Sequence, residues 1–323
     1  MAVIYVAEQG AVLRRVSQRL VVAKGGVVLE ERPAFSLERV LLFGNVQVTT
    51  QTLAFLLEQG AEVSFFSLKG RLRGTLTAPK ARNVLLRLAQ FDAWRDPVRR
   101  LALAGSFVAG KIRNQRAVLQ RYQRNRGLDL GETVAGLGEL AGRAGVAADH
   151  LELMGLEGLA ARSYFQAWRR ILPGEFGFGS RERRPPPDPV NALLSLGYAL
   201  LGAELGSLLE GLAFDPCLGY LHGIRYGRLS LALDLLEEFR APVVDVFTGE
   251  LLNKGILQAA DFQVEGGGCR LTPVGLKRFF PLYEERLRGE GGRSNWRGTV
   301  RLQAGKLRDA VLEGGEYQSH AVR

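Results

Sequence analysis

The hydrophobic pattern of this chain changes period once, around Thr77-Ala78-Pro79-Lys80, and that change limits what it can fold into. Ahead of it, short β-branched or alternating runs recur at Ala2–Ala7, Val12–Arg15, Arg19–Ala23, Val27–Glu31, Arg39–Phe43, Glu62–Ser67 and Arg71–Thr75. Gly10, Gly25-Gly26, Gly60 and Gly70 punctuate them as turns. One helix interrupts: Thr49-Thr50-Gln51 starts it, Leu53, Leu56 and Leu57 give it a face, and Gly60 ends it. Several strands joined by short turns read as a small sandwich. After the break the period becomes helical, with Arg82–Trp94 and Val98–Arg126 split by Asp96-Pro97. The expected class is α+β: a β-sandwich-like domain over residues 1–78, a linker at 79–81, and a larger all-α domain over 82–323. The first domain carries no nucleophile, phosphate loop or metal-ligand spacing, so its expected role is dimerisation or positioning.

Charge narrows the partners. The 323 residues carry a net charge of +10, and 46% are hydrophobic, enough to bury real cores. Such a basic surface favours a polyanion, either nucleic acid or an anionic membrane. No apolar run approaches the ~18 residues of a membrane span, and the N-terminus lacks a basic leader and a cleavage site. A cytoplasmic protein without a membrane partner is therefore expected. Cys217 and Cys269 are too few for a disulfide framework, which fits a reducing compartment. The cations are concentrated. Lys111, Arg113, Arg116, Arg121, Arg124 and Arg126 fall on one helix with no acid among them, and phosphates explain that better than solubility does. Arg181, Arg183 and Arg184 precede three prolines in a stiffened basic loop, a second candidate phosphate contact.

The acids are fewer and more telling. In Leu221–Arg240 the helix after His222 places Leu231, Ala232, Leu235, Leu236 and Phe239 on an apolar arc, with Asp234, Glu237 and Glu238 opposite. Ser230 is the expected N-cap. The wheel alone leaves two readings, a solvated acidic face or a cation site. In His150–Leu172, Met154, Glu157, Ala161, Tyr164, Trp168 and Ile171 share one stripe, so Glu157 lies in an apolar seam where an unpaired carboxylate is costly. A raised pKa, a buried Arg partner and a metal all remain open for it. Gly155 and Gly158 leave room beside it. His150 and His320 are expected at the surface. HExxH, CxxC, Walker and Gly-x-Ser-x-Gly patterns are absent. One imidazole with two or three carboxylates favours Mg²⁺ or Mn²⁺.

The segments FGNVQVTTQTLAFLLEQGAEVSFFSLKGRLRG, GKIRNQRAVLQRY, LMGLEGLAARSYFQAW, RRPPPDPVNALLSLGYALL, GYLHGIRYGRLSLALDLLEEFR and LTPVGLKRFF occur here in order. Together they resemble the CRISPR-associated spacer-acquisition endonuclease/integrase (Cas-one) family over essentially the whole chain. The resemblance implies that Glu157, His222 and Glu237 are metal ligands. Asp234 matches a further acidic position of the motif and joins the catalytic set, while Glu238 is left behind the ligands or in solvent. It also implies a metal-dependent DNA endonuclease and integrase, dimeric through its N-terminal domain. Such a protein works with a small Cas-two partner on short DNA duplexes and joins 3′-hydroxyl ends to a repeat array by transesterification. Lys111, Arg113, Arg116, Arg183, Arg184, Arg225 and Arg228 are then the expected DNA contacts, holding backbone rather than reading sequence. A metal-dependent nuclease on RNA or branched DNA, and a non-catalytic DNA-binding scaffold, are the alternatives.

Overall fold

The alternating runs at the N-terminus do become strands. The computed structural model describes residues 2–35, 37–78, 83–182, 185–289 and 294–322. The expected linker at 79–81 and the loop cations Arg183 and Arg184 lie outside them. The strands are β1 (Ala2–Val6), β2 (Val12–Val16), β3 (Arg19–Lys24), β4 (Val27–Pro33), β5 (Leu37–Phe43), β6 (Gln47–Val48), β7 (Glu62–Phe66) and β8 (Leu72–Leu76). They form two four-stranded sheets, ordered β1-β5-β7-β8 and β4-β3-β2-β6. The pairs β1–β5 and β5–β7 are parallel, so the chain between β5 and β7 must cross over, and it does so through helix α1 (Thr50–Glu58). Thr49 caps that helix through its side chain, and Gly60 leaves it with φ 72°, a conformation that favours glycine. Ile4 and Val6 of β1, Val40 and Leu42 of β5, Leu13 of β2 and Leu20 and Val22 of β3 share one core with Leu56 of α1. Their spacing of two is what turns one face of each strand inward.

The helical period continues as α2 (Val84–Arg95), α3 (Pro97–Arg126), α4 (Gly131–Ala144), α5 (His150–Arg169), α6 (Pro189–Gly211), α7 (Ser230–Phe239), α8 (Val246–Asn253), α9 (Pro273–Arg288) and α10 (Trp296–Glu313). Asp96 accepts from the amides of Val98 and Arg99, and Pro97 opens α3 where its missing N–H costs nothing. A π-helical turn, Arg240–Asp245 with Pro242 inside it, joins α7 to α8. A hairpin of β9 (Phe262–Glu265) and β10 (Gly268–Leu271) interrupts the helices where Gly266-Gly267-Gly268 suggest a turn in the sequence.

The chain divides into two compact units, Met1–Lys80 with Leu271–Glu284, and Ala81–Arg270 with Glu285–Arg323. The second unit is thus not one uninterrupted stretch. The first keeps part of α9 because Phe280 stacks on Tyr5 with ring centres 4.3 Å apart, and the Tyr5 hydroxyl donates to Glu284 at 2.6 Å. In the second unit, α6 is long and apolar enough to cross a membrane by length and composition alone. Yet 67% of its most apolar window is buried inside the protein, with Val190, Leu193 and Leu205 fully enclosed. It is the core helix of its unit.

Candidate metal centre and its basic cleft

The acidic face of α7 does not meet solvent. Asp234, Glu237 and Glu238 are 0%, 2% and 0% exposed, so the solvated reading is wrong for all three. Ser230 is the first residue of the helix and does not cap it; its hydroxyl donates to the Gly223 carbonyl at 3.2 Å.

Asp234 organises the turn that carries His222. One carboxylate oxygen accepts from the amides of Tyr220 at 2.6 Å and Leu221 at 3.0 Å. The other takes the His222 amide at 2.9 Å and its Nδ1 at 2.7 Å. An ionised carboxylate can only accept, so Nδ1 carries a proton and Nε2 is the ring nitrogen left unengaged by Asp234. Gly219 permits this turn, since a Cβ there would lie 2.8 Å from Asp234 Oδ2 and from Ser230. Nε2 stands 4.0 Å from Glu237 Oε1.

Glu237 receives Arg240 at 3.1 Å on Oε1 and faces Lys111 Nζ at 2.7 Å on Oε2. The second contact is ionic and lacks hydrogen-bond geometry, so Oε2 is a buried oxygen without a hydrogen-bond donor. Burial pushes the Glu237 carboxyl up, but the charges of Arg240, Lys111 and His222 together outweigh it and hold the group at about 2.

Glu157, on α5, accepts a hydrogen bond from the same Lys111 ammonium. The partner anticipated for a buried Glu157 was an arginine; it is a lysine. The buried face of α5 is Leu153, Leu156, Ala160, Tyr164, Ala167 and Trp168, and Met154 is 45% exposed. The expected stripe was therefore turned by about a residue, and Glu157 sits at the margin of the core with its side chain 19% exposed. A Cβ at Gly155 or Gly158 would meet nothing, so neither glycine makes room for a neighbour.

Lys111 itself is 5% exposed and spent on two carboxylates, which removes it from the surface DNA contacts it was expected to join. Arg113 and Arg225 are exposed as that role requires. Arg116 instead donates to the Val134 carbonyl at 3.2 Å, and Arg228 braces the His222 loop through Gly223 and Ser230. Sequence reading missed the cleft beside the centre, a cavity of about 720 Å³ whose lining includes Lys111, Glu157, Arg162, Arg169, Arg181 and Arg240. It also missed Asp245, which accepts from the hydroxyls of Tyr164 at 2.9 Å and of Tyr198. Burial raises the Asp245 carboxyl to about 6 against the pull of both tyrosines and of Arg240. Arg240 lies 4.6 Å over the Tyr198 ring. Two signals were available: Arg240 follows Glu237 by one helical turn, and Asp245 is a lone acid in a valine run.

Glu238 points away from the centre. It accepts from the Tyr317 hydroxyl and the His320 amide, each at 2.6 Å, and burial raises its carboxyl to about 8. His320 stacks on Phe239, and His150 Nε2 meets the Tyr220 carbonyl at 2.8 Å, so neither histidine is the surface residue expected.

The donor set suits a divalent cation. Two carboxylates from separate helices converge on one buried positive charge, and an imidazole with a fixed proton presents its free nitrogen toward one of them. Among the described residues no group of three or more His, Cys, Asp or Glu side chains is drawn together closely enough to hold a metal ion as it stands.

The profile of the family described as CRISPR associated protein Cas1 matches residues 4–285. A CRISPR-associated endonuclease Cas1 of Thermus thermophilus is 39% identical, over 100% of this chain and 98% of its own length. A Cas1 protein from Thermotoga maritima superposes with a TM-score of 0.84 at 26% identity, covering 100% of both chains. A chain of a Cas6-RT-Cas1–Cas2 complex gives 0.85 at 26% identity, with all of this chain aligned to 36% of that one. With so much of its length matched, and at that identity to an end-to-end relative, the chain belongs to the Cas1 family of CRISPR-associated nucleases.

Proposed function

We propose that this chain is the metal-dependent integrase and endonuclease of CRISPR adaptation, joining the 3′-hydroxyl ends of short duplex DNA to a repeat array by transesterification. The observation that carries the reading is the convergence of Glu157 and Glu237 on one buried cation with His222 Nε2 alongside. Glu157, Glu237 and His222 would hold Mg²⁺ or Mn²⁺. When bound, the ion supplies Lewis acidity at the scissile phosphate and eases loss of the proton from the attacking hydroxyl, or from water in the nuclease reaction.

The residues around it do the positioning. Asp234 fixes the tautomer and direction of His222, and Arg240 tethers Glu237. Arg162 and Arg169, exposed on the cleft, and Arg113 on α3 suit phosphate oxygens of a duplex, giving affinity and register rather than sequence preference. The net charge of +10 supports DNA as the partner. Likeness to a chain of a complex named for Cas1 and Cas2 supports a Cas2 partner. A homodimer built on the strand-rich unit, working in the cytoplasm, completes the proposal.

The test is incubation with Mn²⁺, a short duplex and supercoiled repeat DNA, with and without Cas2, scored for covalent joining. Glu157→Ala is expected to abolish joining while DNA binding persists. Unchanged joining would leave only a DNA-binding scaffold.

A further inference from the structure

Lys111 lies between Glu157 and Glu237, two of the residues that would hold a divalent cation. Its ammonium hydrogen-bonds Glu157 Oε1 and lies 2.7 Å from Glu237 Oε2, and its side chain is only 6% exposed. Charge around these two acids is balanced by the chain alone: Lys111 and Arg240 offset Glu157 and Glu237. A buried carboxylate pair left without a cation is strongly destabilising, so a protein that must fold before it loads metal needs a substitute. The same ammonium beside a divalent ion would be a close like-charge contact in a site of low dielectric, so the two cannot share it without cost. Lys111 also has somewhere to go, because it lines the cleft next to the centre.

Resting on the metal reading above, we propose that Lys111 is an internal counter-ion that closes the centre until a divalent cation displaces its ammonium from between Glu157 and Glu237 into the cleft. The fold is thereby kept intact without metal, at the expense of metal affinity. Displacement changes the balance of the site from neutral to positive and moves one more cation toward the arginines of the cleft. A phosphodiester is then bound better by the loaded centre than by the empty one. By reciprocity, DNA strengthens metal binding to the same degree.

The experiment uses the full chain without DNA and reads Mn²⁺ binding from the electron paramagnetic resonance of the free ion. Lys111→Gln should bind Mn²⁺ about ten-fold tighter than the native chain or better, and Lys111→Arg no tighter than native. In EDTA, Lys111→Gln should melt lower, and Mn²⁺ should raise its Tm by more than it raises the native value. A second readout needs no variant. An amine-acylating reagent followed by peptide mass spectrometry should find Lys111 protected in EDTA and labelled once Mn²⁺ is saturating. Equal or weaker Mn²⁺ binding by Lys111→Gln, or labelling of Lys111 that Mn²⁺ does not change although it binds, overturns the displacement while leaving the metal centre standing. Failure of both native chain and Lys111→Gln to bind Mn²⁺ overturns the metal reading and the inference with it.

Discussion

At the scale of single residues, the centre depends on contacts that no local pattern displays. A helical wheel shows that Asp234, Glu237 and Glu238 share a side of α7, and it stops there. What buries them comes from far along the chain: Lys111 for Glu237, the turn at Tyr220–His222 for Asp234, and Tyr317 with His320 for Glu238. The family resemblance picked out Glu157, His222 and Glu237; physical patterning alone left all three undecided. Asp234 acts through His222, so its effect should be graded. Asp234→Asn removes the charge that holds the Nδ1 proton and should cost about 10–100-fold in both Mn²⁺ affinity and joining rate. A variant that lost joining while binding Mn²⁺ at the native affinity would give Asp234 a different role. Glu238 titrates in the opposite sense from Glu237. With its carboxyl raised to about 8, it contributes stability fully below the ordinary carboxylate range, and that contribution is lost as pH rises through about 8. Asp245, raised to about 6, adds a loss of the same sign at lower pH. Glu237, held at about 2, contributes stability above the ordinary range and loses it only as pH falls toward about 2. Melting temperature should therefore decline from pH about 5 to about 9, and Glu238→Gln should flatten the upper part of that decline. An identical profile in the variant would show that Glu238 is ionised throughout.

At the scale of elements, most strands, α3 and α7 were readable because each rests on its own pattern and stop signals: the unbroken apolar run Val40–Phe43 in β5, Asp96-Pro97 ahead of α3, Gly127 after it. α4 was not readable. Gly131, Gly136, Gly138 and Gly142 give it poor helix propensity, and packing on α3 and α5 overrides that. The π turn at Arg240–Asp245 was also hidden, since Pro242 signals a break whereas the chain continues into α8. That turn points Arg240 at Glu237 and Asp245 at the two tyrosines. The basic helix was legible as a charge run, but the run did not sort its members. Lys111 faces the centre, Arg116 the backbone at Val134, and Arg113 the solvent. Substituting Arg162 and Arg169 together by Ala should weaken duplex binding evenly across sequences. The slope of log affinity against log salt should become shallower by about 0.9 for each phosphate that is no longer neutralised. An unchanged slope would remove that side of the cleft from the DNA path.

At the scale of the whole molecule, the α+β class was legible because a single change of hydrophobic period separates strands from helices. The return of Leu271–Glu284 to the first unit was not, because the aromatic face of α9 does not say which core it will join. Tyr5, near the other end of the chain, decides it by stacking on Phe280. The same dependence on distant partners governs the metal centre, whose groups are contributed by α3, α5, the turn before α7, and α7 itself. Joining of a short duplex into supercoiled repeat DNA, titrated with Mn²⁺ at matched DNA occupancy for the native chain and for Glu237→Ala, examines that centre as a unit. Native joining should rise saturably with Mn²⁺, vanish in EDTA and be lost in Glu237→Ala at every Mn²⁺ concentration. Joining that persists in EDTA, or that survives in Glu237→Ala with the native Mn²⁺ dependence, would show that Glu157, His222 and Glu237 do not hold the ion that drives the reaction.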